Sequence, residues 1–242
     1  MLSDRLEPFR RIARHLPYAM ALGRRLHVLL DPELRTVARL KRRQGQGVFQ
    51  HWPHTEVDRY PQLFDALAER LSGIEAPRIL SFGCSSGEEV RALRQRLPQA
   101  RITGVDTNPR AIARARKADA DGRYLLAELP PAGEQFDAVL ALAVLRHGDL
   151  EAFAPEDCSA VMPFARFAEG VAMLEAALAP GGWLAIFNAH FRFADTDTAA
   201  RYDVDPLRLT DHVAPDVIWG PDNRRLHRQP YGEVLFRKLR DC

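Results

Sequence analysis

Arg78-Ile-Leu-Ser-Phe-Gly-Cys-Ser-Ser-Gly-Glu-Glu-Val90 and, one helix length further on, Ile102-Thr-Gly-Val-Asp106 are the stretches whose reading decides the fold. Ile79 and Leu80 read as the end of a buried strand, and the glycines and serines behind them as a tight turn into a helix beginning near Glu88. The second apolar run ends at Asp106, 25 residues beyond Ser81. Strand, small-residue turn, helix, strand and terminal carboxylate are the parts of a βαβ unit that binds a nucleoside-containing cofactor.

The residue types fit that chemistry. Gly83 and Gly87 can take positive φ and admit a ligand close to the backbone. Asp106 has the acceptors for both hydroxyls of a ribose diol. No glycines stand at G-x-G-x-x-G spacing after Leu80, and no Walker lysine follows Gly87, which argues against a dinucleotide fingerprint and a P-loop.

With these residues the chain resembles the class I S-adenosylmethionine-dependent methyltransferases, and Ser81-Phe-Gly-Cys-Ser-Ser-Gly-Glu-Glu89 is similar to the cofactor loop of the chemotaxis-receptor glutamate methyltransferases. The resemblance continues through Gly104-Val-Asp-Thr-Asn-Pro-Arg-Ala-Ile-Ala-Arg-Ala-Arg116, Phe136-Asp-Ala-Val-Leu-Ala-Leu142 and Leu178-Ala-Pro-Gly-Gly-Trp-Leu-Ala-Ile186. It implies an α/β, Rossmann-like, seven-stranded sheet with helices on both faces, closed by an antiparallel hairpin, and S-adenosylmethionine as cofactor. By the same resemblance Ser81, Gly83, Cys84, Ser85 and Gly87 line the cofactor, Glu88 meets the amino end of its methionine part, and Glu128 contacts the adenine amine. Residues 141–147, Ala-Leu-Ala-Val-Leu-Arg-His, lack the arginine and asparagine that receptor-type relatives carry just after the fourth strand. That departure argues against glutamate methylation of a receptor.

The 242 residues suffice for one large α/β domain with a small appended region, here divided into an arginine-rich helical extension (1–47), a lead-in or lid segment (48–77) and the cofactor-binding domain (78–242). A net charge of +2 makes nucleic acid an unfavoured partner, although the first 50 residues hold eleven Lys or Arg against four Asp or Glu. Leu6, Phe9, Ile12, Ala13 and Leu16 recur at helical spacing with arginines between them, a pattern that fits packed helices with solvated faces or a docking surface for an acidic partner, nucleic acid or anionic lipid. Lys41-Arg-Arg-Gln-Gly-Gln-Gly47 reads as a basic linker. Three scattered cysteines form neither a disulfide framework nor a zinc site. With no long apolar stretch, a cytoplasmic location is expected.

Phe49, His51, Trp52, His54 and Tyr60 crowd the lead-in segment before a helix over 62–71. Two histidines at three-residue spacing lack a third ligand, so no metal is expected; Trp52 and Tyr60 are instead candidates for a substrate-pocket wall. Further helices are expected over 90–97, 109–117 with an Asn108 cap, and 164–178, with strands at 102–105, 123–128, 138–142 and 183–187. Residues 148–161 read as acidic and irregular, 232–239 as a late strand that by the resemblance belongs to a closing antiparallel hairpin after 217–221, and 222–228 as its turn or an exposed loop. Loops at the carboxyl ends of the strands surround the ligand crevice in such sheets. They carry His147 and His190, the candidate bases, and Asn188 and Arg192, candidate substrate contacts. The expected reaction is methyl transfer to an oxygen or nitrogen of a small molecule or a protein side chain. The alternatives are a catalytically silent cofactor-binding scaffold and a nucleic-acid methyltransferase, the latter opposed by the missing Asn-Pro-Pro-Tyr motif.

Overall fold

The computed structural model describes residues 30–42, 49–50, 55–209, 217–227 and 231–240. Residues 1–29 of the expected helical extension, the linker beyond Arg42, and His51, Trp52 and His54 lie outside them. The chain divides into two units, Met1–Arg43 and Gln44–Cys242. In the first, helix α1 (Pro32–Lys41) starts at Asp31, whose carboxylate accepts from the Glu33 and Leu34 amides, with Pro32 at the first helical position.

The second unit is a seven-stranded sheet. Strands β1 (Arg78–Phe82), β2 (Arg101–Asp106), β3 (Arg123–Leu126), β4 (Phe136–Leu142), β5 (Leu178–Phe187), β6 (Tyr202–Val204) and β9 (Leu235–Lys238) lie in the order β3-β2-β1-β4-β5-β9-β6. From β3 to β5 all neighbours are parallel, and β9 runs antiparallel to both β5 and β6. Central parallel strands bury both faces, and their alternate side chains enter two cores. Leu80, Phe82, Val139, Ala141, Leu184 and Ile186 join Phe167, Val171 and Leu174 of α6 (Phe164–Ala176). Ile79, Ala138, Leu140, Ala185 and Phe187 instead meet α2 (Pro61–Leu71), α3 (Glu88–Arg96) and α4 (Pro109–Ala118) through Leu67, Val90, Leu93 and Ile112. The Asn108 cap forms as expected, accepting from Arg110 and Ala111 N–H.

Three local expectations are corrected. Residues 148–161 are not wholly irregular, because His147 Nδ1 accepts from Asp149 N–H and caps a short helix, α5 (Gly148–Phe153), with Asp149 and Glu151 in its first turn. Helix α6 stops at Ala176 and β5 begins at Leu178, since Leu178 already pairs with Phe136; the register then shifts and Pro180-Gly-Gly182 lies within the irregular stretch of the strand. The antiparallel partner of β9 is β6, held by Phe193, whose ring meets Tyr202 at 5.2 Å and Phe236 at 4.3 Å. Residues 217–219 make a separate hairpin, β7 (Ile218–Trp219) with β8 (Arg225–Leu226). Among the described residues no helix is long and apolar enough to cross a membrane.

Candidate active site

Chain order reverses between β1 and β4, so the loops leaving their carboxyl ends part and open a crevice. The turn after β1 makes one wall. Gly83, Ser85 and Gly87 take φ of 75°, 48° and 84°, and the Gly83 and Cys84 amides donate to Val105 O at 2.7 and 3.0 Å, tying the turn to β2. A Cβ on Gly83 would stand 2.3 Å from Val144 Cγ2, and one on Gly87 2.7 Å from the Tyr124 hydroxyl. The chain's own packing demands these glycines, independently of any ligand. Asp106, at the end of β2, accepts from Ser85 N–H through Oδ2 at 2.8 Å and from Asn108 N–H through Oδ1 at 2.7 Å. Burial raises its pKa, and these amides partly offset the rise.

The sequence pointed to Glu88, but that side chain turns to the Ser86 hydroxyl at 3.1 Å and Arg91 at 3.3 Å. Glu89 takes the place in the crevice. With Gly83, Cys84 and Ser85 it faces Arg59 and Tyr60 across a cavity of about 30 Å³. Burial raises its pKa to about 7, against the opposing influence of the Ser81 hydroxyl and the Arg59 charge. Ser81 Oγ and Glu89 Oε1 are nonetheless both buried without a well-formed hydrogen bond. Cys84 is a buried thiol whose pKa burial pushes upward, the state of a packing residue. Beside Asp106, whose carbonyl accepts from Ala127 N–H, an open hollow of about 520 Å³ is lined by Leu125, Ala127, Glu128, Leu129 and Pro130.

The other wall comes from the β4 and β5 exits. Ala143 and Asn188 follow these strands with φ of 58° and 55°. Tyr60 is buried edge-on against Phe187 at 5.5 Å and interacts through its hydroxyl with the Asn188 side chain. The Tyr231 hydroxyl accepts from Ala189 N–H at 2.9 Å and donates to Ala189 O at 3.0 Å, pinning the β5 exit.

Neither candidate base is set up for that work. His190 is fully buried, with Nδ1 3.2 Å from Val217 O and Nε2 3.2 Å from His147 O. Burial lowers its pKa to about 4, so the ring is neutral at pH 7, a weak proton acceptor, and sealed from substrate. His147 uses Nδ1 as its helix-cap acceptor, which in the neutral ring places the proton on Nε2 and leaves no lone pair for a substrate proton. Arg192 is turned to Asp195, with bonds of 2.8 and 3.0 Å. The sequence reading missed Glu89, Arg59 and Tyr231. Position after a strand or in a cofactor turn flagged their neighbours, but which side chain points inward is decided by tertiary packing. Among the described residues no cluster of metal ligands forms.

Residues 80–184 match a family model described as a methyltransferase domain. The match covers less than half of the chain, and the seven-stranded α/β sheet around it has the Rossmann-like order expected from the sequence. The match is to the domain at large, and the likeness to the chemotaxis-receptor branch stays a resemblance of the turn sequence. Trans-aconitate 2-methyltransferase of Escherichia coli O1:K1 / APEC is 37% identical over 76 residues, 31% of this chain and 30% of that protein. The protein of the same description from Escherichia coli strain ATCC 8739 is 41% identical over 51 residues, 21% of this chain and 20% of its own length. The chain thus spans less than a third of the curated relatives it matches. Among solved structures, TehB from Haemophilus influenzae is similar at 13% identity and a TM-score of 0.41, over 72% of this chain and 61% of that one. The plantazolicin methyltransferase BpumL in complex with SAH follows at 16% and 0.40, over 64% and 53%.

Proposed function

We propose that the chain is an S-adenosylmethionine-dependent methyltransferase that alkylates an oxygen or nitrogen of a small molecule. The observation that carries it is the pairing of a buried acid and an arginine of opposite charge, Glu89 and Arg59, across the cavity beside the 83–87 turn, with Asp106 at the end of the next strand. The residues fit the group. A zwitterionic amino-acid end needs one anion and one cation, and Glu89 Oε1, buried without a bond, suits the ammonium while Arg59 suits the carboxylate. The amides that orient Asp106 leave it acceptor capacity for a ribose diol, and the apolar hollow at Leu125 and Leu129, with Glu128 on its rim, suits adenine.

When bound, the cofactor supplies a methyl group made electrophilic by its sulfonium. The chain's part is to align the acceptor and exclude water, for which buried Tyr60 and the tied β5 exit form a rigid wall. The names of the curated relatives support a small-molecule acceptor. Calorimetric titration with S-adenosylmethionine and S-adenosylhomocysteine tests the reading: micromolar binding is expected, weakened tenfold or more by Asp106→Ala, about 1.4 kcal/mol. Folded protein without copurified ligand that binds neither would overturn it in favour of a silent scaffold.

A further inference from the structure

Residues 127–135 join β3 to β4 without a helix, although the two strands run parallel in one sheet. Such a crossover ordinarily lays a helix over the sheet. Helices α3 and α4 cover the face to which Ile102 and Tyr124 point, and α6 packs on the opposite face farther along, against β5. At the amino ends of β1, β2 and β3, away from the crevice, there remains an open hollow of about 570 Å³ lined by Arg78, Arg94, Arg101, Thr103, Asp119 and Arg123.

Register brings like charges together there. Arg78 is the partner of Arg101, and Arg123 that of Thr103. All four side chains therefore leave one face of adjacent strands about 4.8 Å apart. Glu134, from the helix-free crossover, holds two of the guanidiniums, at 2.7 Å from Arg78 and 2.8 Å from Arg123. Arg94 is matched by Asp119 at 2.7 Å. Arg101 is exposed and meets no carboxylate among the described residues; Asp121, the other acid lining the hollow, is exposed as well. Thr103 is an independent observation. It is 3% exposed, its oxygen accepts from Arg123 Nη1 at 3.3 Å, and its own hydrogen is donated to no group among the described residues. A buried donor left unused is costly unless something at the site takes it up.

We propose that this hollow binds the phosphate of a phosphorylated small molecule. A carboxylate brings two oxygens, and Glu134 already supplies those. A phosphate monoester brings nearly two negative charges and three terminal oxygens, enough for the forks of Arg78, Arg101 and Arg123 and for the Thr103 hydroxyl. A concave site of this volume suits a small ligand, whereas a nucleic-acid backbone follows a stripe of cations. The site is separate from the crevice, because β2 runs between them from Arg101 to Asp106, and it does not depend on the cofactor proposed above.

Calorimetry of the full chain at fixed ionic strength tests it with inorganic phosphate, phenyl phosphate and, as the matched carboxylate, phenylacetate. One phenyl phosphate per chain is expected, with a Kd below about 1 mM, and phenylacetate should bind at least tenfold more weakly. Arg101→Gln should weaken phenyl phosphate binding tenfold or more without moving the unfolding midpoint, and Arg101→Lys should recover part of that loss. Arg224→Gln, which removes an exposed arginine elsewhere, should leave the Kd unchanged, as should saturating S-adenosylhomocysteine. Failure of both phosphate compounds to saturate, a Kd indifferent to Arg101→Gln, or an equal loss in Arg224→Gln would overturn the proposal. So would equal binding of phenylacetate, or competition with S-adenosylhomocysteine, which would put the anion in the crevice.

Discussion

The two walls of the crevice are built in different ways. The β1–β2 wall is local: three positive-φ residues, two amides on Val105 O and one carboxylate holding two N–H groups fix it within a single βαβ unit. The β4–β5 wall is assembled from residues far apart in sequence, Arg59, Tyr60, Asn188 and Tyr231, and several of its polar groups are engaged in holding it together. A backbone-made wall is specified by residue type alone. A side-chain-made wall depends on which of many polar residues the fold leaves facing inward.

The largest effect should come from loading the local wall. Gly83→Ala places a methyl group on a φ of 75° and within 2.3 Å of Val144 Cγ2, so strain and overpacking together should destabilise the fold by about 3 kcal/mol. Denaturant unfolding measures it, and Val144→Ala in the same chain should recover the steric share as a coupling energy. A loss under about 1 kcal/mol would show that the turn yields, and the contrast between the walls would fail.

That locality explains what was legible. The strands of the parallel half, the Asn108 cap, the turn and the place of Asp106 follow from periodicity, cap chemistry and spacing, each a property of a few adjacent residues, whereas the seven-stranded closure was implied only by the resemblance. The choice between Glu88 and Glu89 was not legible, because both lie in the first turn of α3 and only packing shows that one meets Arg91 while the other is enclosed. His190 misled for a related reason. It follows a strand at the correct end of the sheet, but Val217, remote in sequence, supplies the carbonyl that captures its ring. Likewise β6 went unread because a three-residue edge strand has too few positions to show a period; its place is set by the Phe193 contacts.

Glu89 gives an effect of middle size and of two signs. Its folded pKa, about 7, stands above the ordinary 4.5. Between those values the folded chain keeps a proton that the unfolded chain has released, so this group's contribution falls as pH rises through the window. Glu89→Gln should therefore raise stability by about 2 kcal/mol at pH 8 and leave it unchanged below pH 4, while weakening S-adenosylmethionine binding at pH 8. Unfolding curves at the two pH values, with calorimetry at the higher, separate the effects. Stability and affinity falling together at pH 8 would make Glu89 a structural residue of the local wall.

The smallest expected effect is the one that most sharpens the contrast. If His147 serves the second wall only as the cap of α5, asparagine should replace it, since its side-chain oxygen can accept the Asp149 N–H that Nδ1 now holds at 3.2 Å. His147→Asn should then shift stability by no more than about 0.5 kcal/mol and change kcat less than threefold. A general base would cost roughly 10²–10⁴ in rate when removed, so the two roles differ by far more than experimental error. Asp149, whose carboxylate lies 4.0 Å from the same nitrogen, belongs to the helix's first turn and stays there whichever residue caps it. A collapse in kcat with intact folding would return the proton-transfer role to His147, and with it the requirement for an acceptor that enters the site protonated.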